Sequence, residues 1–361
     1  MDISKATARY ESWLATYTAL VRRDLEAKHE AMAQSPFSFL RATFYRWAQR
    51  WPKVCANLAG APPVLAIGDL HVENFGTWRD SEGRLIWGIN DFDEAWTMAY
   101  TNDLVRLATS ANLAIQEKQL HVGLGEACEA LVEGYVTYLE RRGQPFVLDN
   151  RHTELRAMAH GDLRAPGPYW EKLSALPTIR KGVPDSAIAA LEHMLPESKL
   201  RYRIAHRVAG LGSLGHQRFL ALADWRGGLV AREAKATAPS ACLWAGGRQE
   251  PIEILYHAIT SRAVRCPDPT LHVQGQWVVR RLAPDCSVIA LDSLPTKRDD
   301  LCLLQAMGAE TANVHLGSKE ARASVQRDLK GRKPNWLRSA AEAMTDALQQ
   351  DWETWRKAAA R

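Results

Sequence analysis

The spacing of apolar and polar positions changes texture along the chain. From about residue 5 to 56, apolar residues return every three or four positions: Trp13, Leu14, Tyr17, Leu20 and Val21, then Phe37, Leu40, Phe44 and Trp47. That period predicts helices with one buried face. Ser35-Pro36 fits an N-cap followed by proline at the first helical position. Arg41 and Arg46 read as a solvated helix face, with phosphate contact as the alternative. Residues 59–63, AGAPP, end the helices. Short apolar runs at 64–67, 75–78 and 85–89 then read as strands, the last two joined by turn chemistry at 79–83. After a loop beyond Asp93, helical periods return over about 101–117 and 124–141. Residues 143–185 read as irregular with short helices, and 185–195 as a short helix. Beyond a boundary at 196–198 the period shortens to two, predicting strands at 202–209, 219–223, 229–235, 276–282 and 287–291. Helices are expected over 250–265, 300–316 and 336–355, the last packing on the larger lobe.

Composition narrows the class. The chain has 361 residues, 46% hydrophobic and 24% charged, which is globular and long enough for two lobes. A net charge of +5 is spread along the sequence. No concentrated basic face points to a nucleic-acid partner, while a modest positive potential suits an anionic ligand. The six cysteines show neither metal-knuckle nor Cys-x-x-Cys spacing, so free thiols in a reducing compartment are expected. No signal core and no membrane-length run is present, giving the expectation of a cytoplasmic protein without a membrane partner.

The chemistry concentrates between residues 67 and 93. Asp69 follows the first strand and Asn74 lies five residues on; the returning hairpin strand delivers Asp91 and Asp93. A closed hairpin brings Asn74 and Asp91 together beside Asp69. An isolated acidic turn is ordinarily only solvated. The joint pattern offers more: hard oxygen ligands for Mg²⁺ next to a carboxylate that could orient an attacking hydroxyl.

These residues carry a resemblance. Residues 68–74, GDLHVEN, are similar to the catalytic loop of aminoglycoside and choline phosphotransferases and, more distantly, of protein kinases. Asp91-Phe92-Asp93 resembles their metal-binding Asp-Phe-Gly or Asp-Phe-Asp, and residues 103–108, DLVRLA, resemble the segment that follows. Residues 35–41, SPFSFLR, together with GDLHVENFG, INDFDEA and DLVRLATS, resemble the bacterial family called domain of unknown function 2252, over residues 28 to 317. The resemblance implies that Asp69 is the catalytic base and that Asn74, Asp91 and Asp93 are metal ligands. It gives Asp103 a second reading, as a buttress of the catalytic loop, beside that of a helix N-terminal charge.

The glycine pattern Gly210, Gly212, Gly215, with Ser213, matches a dinucleotide fingerprint as well as a kinase loop. A strand and hairpin turn follow it rather than a helix, and the next strand carries Lys235 where a Rossmann fold wants an acid. That order reads as a kinase phosphate clamp. Glu253 is the candidate partner of Lys235, with Glu250 nearly as good. Residues 276–282 resemble the inter-lobe hinge. His315 closes a helix resembling the one that precedes the catalytic loop, and is read as structural, with a catalytic role as the alternative.

The implied fold is α+β: a bilobal protein kinase-like fold, circularly permuted, because Asp69 and Asp91 precede Gly210 and Lys235. Residues 1–60 would be helices packing on the large lobe, 61–197 large-lobe chain with the catalytic loop, 198–296 the small β-rich lobe, and 297–361 helices completing the large lobe. Permutation further requires that Leu316 and Val64 lie near each other. The implied function is ATP- and Mg²⁺-dependent phosphotransfer to a hydroxyl, tilted toward a small-molecule acceptor. Alternatives are an AMP transferase with the nucleotide bound in the flipped sense, and a nucleotide-binding scaffold. The sequence specifies neither the acceptor nor the oligomeric state.

Overall fold

The helical period at the start of the chain folds as α1 (Ile3–Leu14), α2 (Arg22–Gln34), α3 (Pro36–Ala42), α4 (Phe44–Val54) and α5 (Ala56–Ala59) in a computed structural model. It describes residues 1–149, 151–161, 165–247, 253–294 and 296–359. Ser35 caps α3, its Oγ accepting from Ser38 N at 3.1 Å, with proline next as the N-terminal rules require. Arg46 is not on a solvated face. It is buried, and its guanidinium grips both carboxylate oxygens of Asp351 at 2.8 Å.

β1 (Pro63–Ala66) pairs antiparallel with β4 (Trp96–Ala99), a strand the sequence pattern left as loop. Between them β2 (Phe75–Arg79) and β3 (Leu85–Ile89) form the expected hairpin, with Phe75 opposite Ile89. α6 (Tyr100–Gln116) is buried on every side from Tyr100 to Ala114, the condition of a central helix. α7 (Leu124–Glu140) follows. β5 (Phe146–Val147) extends the hairpin to three strands, and α8 (Thr153–Gly161), α9 (Pro166–Ser174) and α10 (Asp185–Met194) lead to the second sheet.

That sheet contains β6 (Arg203–His206), β7 (Arg218–Trp225) and β8 (Gly228–Ala236). After α11 (Ala241–Ala245) and α12 (Tyr256–Arg262) come β9 (His272–Gln274) and β10 (Trp277–Leu282), and the spatial order is β6-β7-β8-β10-β9. Strand periodicity gives its two faces different characters. Phe219, Ala221, Ala234, Ala236, Trp277 and Val279 pack on Ala187, Ala190 and Leu191 of α10. The other face is laid out in rows by register: Arg218, Lys235 and Val278, then Leu220, Glu233 and Arg280, then Leu222, Ala231 and Leu282. Tyr169 and Leu173 of α9 cover the last row, so the charged rows face the remainder of the molecule.

α13 (Lys297–His315), α14 (Arg322–Lys330) and α15 (Trp336–Ala359) complete an α+β fold. α13 packs along α7, and α15 along α6. Just beyond α13, Ser318 Oγ accepts from Leu65 N of β1 at 2.8 Å, so the end of that helix and the start of β1 touch. Two expected elements differ. Residues 287–290 form no strand: Ser287 O accepts from Thr77 N at 2.8 Å and docks the segment on β2, and a single 3-10 turn, Leu291–Ser293, follows. Of the helix expected over 250–265 the described part is α12; Glu250 lies outside the described residues. Among the described residues no helix is long and apolar enough to cross a membrane, and the six cysteines are unpaired.

Candidate functional site

Asp69, Asn74, Asp91, Asp93, Gly210, Gly212 and Ser213 line one cavity of about 510 Å³ between the hairpin, the N-terminal helices and the five-stranded sheet. Asp69 sits on the turn leaving β1. Gly68 precedes it at φ +83°, and a Cβ there would lie 2.3 Å from Glu94 O, so only glycine fits this turn. The turn hangs from α6. Asp103, fully buried, accepts from Ile67 N at 2.7 Å and from Gly68 N at 3.0 Å. Its Oδ2 also meets His315 Nε2 at 2.9 Å, while His315 Nδ1 meets the Tyr135 hydroxyl at 2.9 Å. Asp103 thus holds the Asp69 turn while standing in the first turn of α6, so both of its readings apply, and His315 is buried between Asp103 and Tyr135.

One oxygen of Asp69 is held by a cation. Its Oδ1 accepts from Arg106 Nε at 3.0 Å and from Arg106 Nη2. Arg106 is fully buried between the rings of Phe44 and Trp47, 5.1 and 4.9 Å away, and also donates to Leu40 O. Burial raises the Asp69 pKa and Arg106 opposes the rise. Oδ2 points the other way, toward Gly212: a Cβ on that glycine would lie 3.3 Å from it. His71 Nδ1 accepts from Glu73 N at 3.2 Å, which assigns the proton to Nε2. Burial and the neighbouring Arg41 and Arg106 push its pKa well below the usual value, so the ring is a neutral donor.

Asn74 ties the two turns together, its Nδ2 donating to Asp69 O and Asp91 O, both at 3.2 Å. That fixes Oδ1 as an outward acceptor, and Asn74 Oδ1 and Asp93 Oδ1 are both buried without a hydrogen-bond partner. A buried acceptor left unpaired is costly, and two beside Asp91 fit a cation. Among the described residues no three His, Cys, Asp or Glu side chains are placed as metal ligands. Two carboxylates and an amide suit Mg²⁺, which keeps waters and takes phosphate oxygens, better than a zinc cage.

Lys235 reaches this acidic pair from β8. Its Nζ is 3.0 Å from both Asp91 oxygens and 2.6 Å from Asp93 Oδ2. Burial pushes both carboxyls up. Lys235, Arg280 and Arg218 together outweigh it at Asp91, whose pKa is lowered, while the Asp91 charge adds to the rise at Asp93. The partner expected for Lys235 is corrected: Glu253 is exposed in the loop before α12, and both ion pairs of Lys235 go to the aspartates. Gly215 is also reassigned, because it lies outside the cavity lining. Its carbonyl accepts from Val21 N at 2.8 Å, and a Cβ would strike Leu25 at 2.4 Å, so it seats the loop on α2.

Three contributors, Lys28, Glu94 and Arg106, carried no readable role, and a fourth, Arg41, lies not on a solvated helix face but in the cavity lining. Lys28 Nζ donates to Gly212 O at 2.8 Å. Arg41, at the cavity wall, pairs with Glu73 at 2.5 Å. Glu94 is held by Ser240 Oγ at 2.9 Å and Ala241 N at 2.7 Å, and burial raises it to about 8. Arg106 alone left a trace, three residues after Asp103 and so on the same helical face.

Fold and cavity together define an α+β protein with one acidic, amide-bearing centre closed by a lysine and a glycine loop. Residues 20–164 match the family described as "Uncharacterized protein conserved in bacteria (DUF2252)". The match takes in Asp69, Asn74, Asp91, Asp93, Asp103 and Arg106 and ends before the glycine loop and Lys235. No curated protein and no solved structure matches the chain.

Proposed function

We propose that this chain is a Mg²⁺- and ATP-dependent phosphotransferase with a circularly permuted, kinase-like arrangement, acting on a hydroxyl acceptor. One observation carries the reading: Lys235 lies on Asp91, 144 positions away in sequence, while the glycine loop lies over Asp69. A cavity that gathers perturbed carboxylates, a buried lysine and a glycine loop has the composition of a ligand site. The contact of Ser318 with β1 supports the permuted order, as it lies where that order places the severed connection.

In this mechanism Asp69 Oδ2 takes the acceptor proton while Arg106 keeps Oδ1 and fixes the carboxylate's direction. The acceptor oxygen bonds to the γ-phosphorus. The bond from that phosphorus to the bridging oxygen breaks, and its electron pair leaves with the nucleoside diphosphate. Asn74 Oδ1, Asp91 and Asp93 would hold Mg²⁺, which would offset phosphate charge. Lys235, whose Nζ lies beside those aspartates, would neutralise the donor phosphates. A volume of about 510 Å³ suits a nucleotide and a small acceptor.

The test is calorimetric titration of ATP with and without Mg²⁺. Wild type should bind and Asp91→Ala should lose binding; Asp69→Asn should bind yet transfer nothing. Absence of binding to wild type would sink the reading. A second reading, AMP transfer, is favoured by the charged row of Glu233 and Arg280, one step from Lys235 on the sheet face, where a purine in the usual kinase pose would need an apolar surface. An adduct heavier by AMP rather than by phosphate would decide for it.

A further inference from the structure

The sheet face above the cavity holds an ionic cluster that the mechanism does not use. Glu233, fully buried, receives Arg218 Nη1 at 2.9 Å, Arg280 Nη2 at 3.1 Å and Arg207 Nη1. Three guanidiniums on one carboxylate leave an excess of positive charge in a buried place, which is costly without an anion. They hold the Glu233 pKa well below the carboxylate range, outweighing its burial, so Glu233 keeps its charge and does not adapt to the cluster.

The cluster opens onto the site. Arg280 lines the cavity and keeps 28% of its side chain exposed. Arg218 Nη2 donates to Ser213 Oγ of the glycine loop at 2.6 Å. Register puts Arg218 opposite Lys235, and Arg280 opposite Glu233 one row deeper, roughly 7 Å along the strand for two residues. A line of cations thus runs from the metal-binding aspartates inward and stops where α9 covers the sheet. With Mg²⁺ held there, Asp91 and Asp93 would no longer balance Lys235, and the excess would grow.

We propose that Arg280, Arg218 and Arg207, gathered on Glu233, form with Lys235 a diphosphate-binding subsite that holds the two donor phosphates that are not transferred. Planar guanidiniums bind phosphate oxygens in pairs, and Glu233 keeps the three at a fixed spacing when the subsite is empty. The proposal rests on the phosphotransfer reading and assigns the donor's grip to the β-sheet as well as to the glycine loop.

Inorganic diphosphate, titrated into the full chain with Mg²⁺, is the probe. Wild type should bind it, and ATP should compete. Arg280→Gln should weaken diphosphate at least tenfold with an unchanged melting temperature, whereas Arg298→Gln, on the exposed surface, should not. If Arg280→Gln loses the fold, Arg280→Lys serves instead, since it keeps the charge but not the fork, and it too should weaken binding. Unchanged affinity in the folded Arg280 variant would overturn the subsite. So would wild type that binds Mg-ATP but not diphosphate, leaving phosphotransfer standing. Wild type that binds neither would overturn both.

Discussion

Replacing Asp103 by Asn removes one oxygen from a buried carboxylate that four donors share: Ile67 N, Gly68 N, His315 Nε2 and Asn102 Nδ2. Each oxygen serves two of them. Whichever way the amide turns, its NH₂ then confronts two donors: Ile67 N and His315 Nε2 on one side, or Gly68 N and Asn102 Nδ2, itself held by Trp47 Nε1, on the other. Hydrogen bonds to charged acceptors contribute about 1.5–3 kcal/mol each, so the loss should be about 3–6 kcal/mol. A native stability of roughly 5–15 kcal/mol would survive that, weakened, over all but the lowest part of its range. With a slope near ~3 kcal/mol/M, the urea midpoint should fall by about 1–2 M. Equilibrium urea unfolding followed by tryptophan fluorescence reads it directly. His315→Phe and the double variant complete a cycle in which the two sites should couple by about 0.5–3 kcal/mol. A midpoint shift under about 0.3 M at unchanged slope would refute the argument that α6 suspends the Asp69 turn through this side chain.

Glu310 is buried, accepts from Ile89 N and Asn313 Nδ2, and is pushed up to about 7 by that burial, with Arg265 opposing. Its folded value exceeds the ordinary 4.5, so the stability it contributes is complete below pH 4.5 and lost as pH rises through 7. The loss is about 3 kcal/mol. Glu310→Gln should flatten that part of the melting-temperature profile whatever it does to the absolute value; an unchanged slope would dismiss the assignment. Gly134 and Gly308 let α7 and α13 touch: a Cβ would lie 1.9 Å from Gln305 O and 2.0 Å from Leu131 O respectively. Alanine at either should cost about 1–3 kcal/mol or more in urea unfolding, and a neutral result would mean that the helices separate freely. Asp351→Asn strands the Arg46 guanidinium between α4 and α15 and should cost about 3–5 kcal/mol, with Arg46→Met/Asp351→Leu much milder; equal losses would show that packing, not charge, is at stake.

Much of the architecture was legible because it is local. The hairpin of β2 and β3 was written in two apolar runs and a turn, and α6, α7, α13 and α15 in their periods. β4 was missed because Trp96-Thr97-Met98-Ala99 has too few residues to show an alternation, and it exists only because β1 lies beside it. The strand expected at 287–291 had the right residues, but Ser287 spends its carbonyl on Thr77 and forms no ladder.

The candidate centre divides the same way. Asp69, Asn74, Asp91 and Asp93 could be picked out because their turns are encoded within thirty residues, and Lys235 because it follows a glycine loop on the next strand. Partner choice was not encoded. Lys235 went to Asp91 and Asp93 rather than to Glu253, Arg46 to Asp351, and Lys28 to a glycine carbonyl. The sequence by itself determined which segments are helices and strands and which turns carry chemistry, since those depend on neighbours a few residues apart. Only the tertiary structure decided which charges meet, and that three arginines share Glu233. An ionic side chain has no periodic signature, and its partner is whatever opposite charge the packed elements bring within a few ångströms.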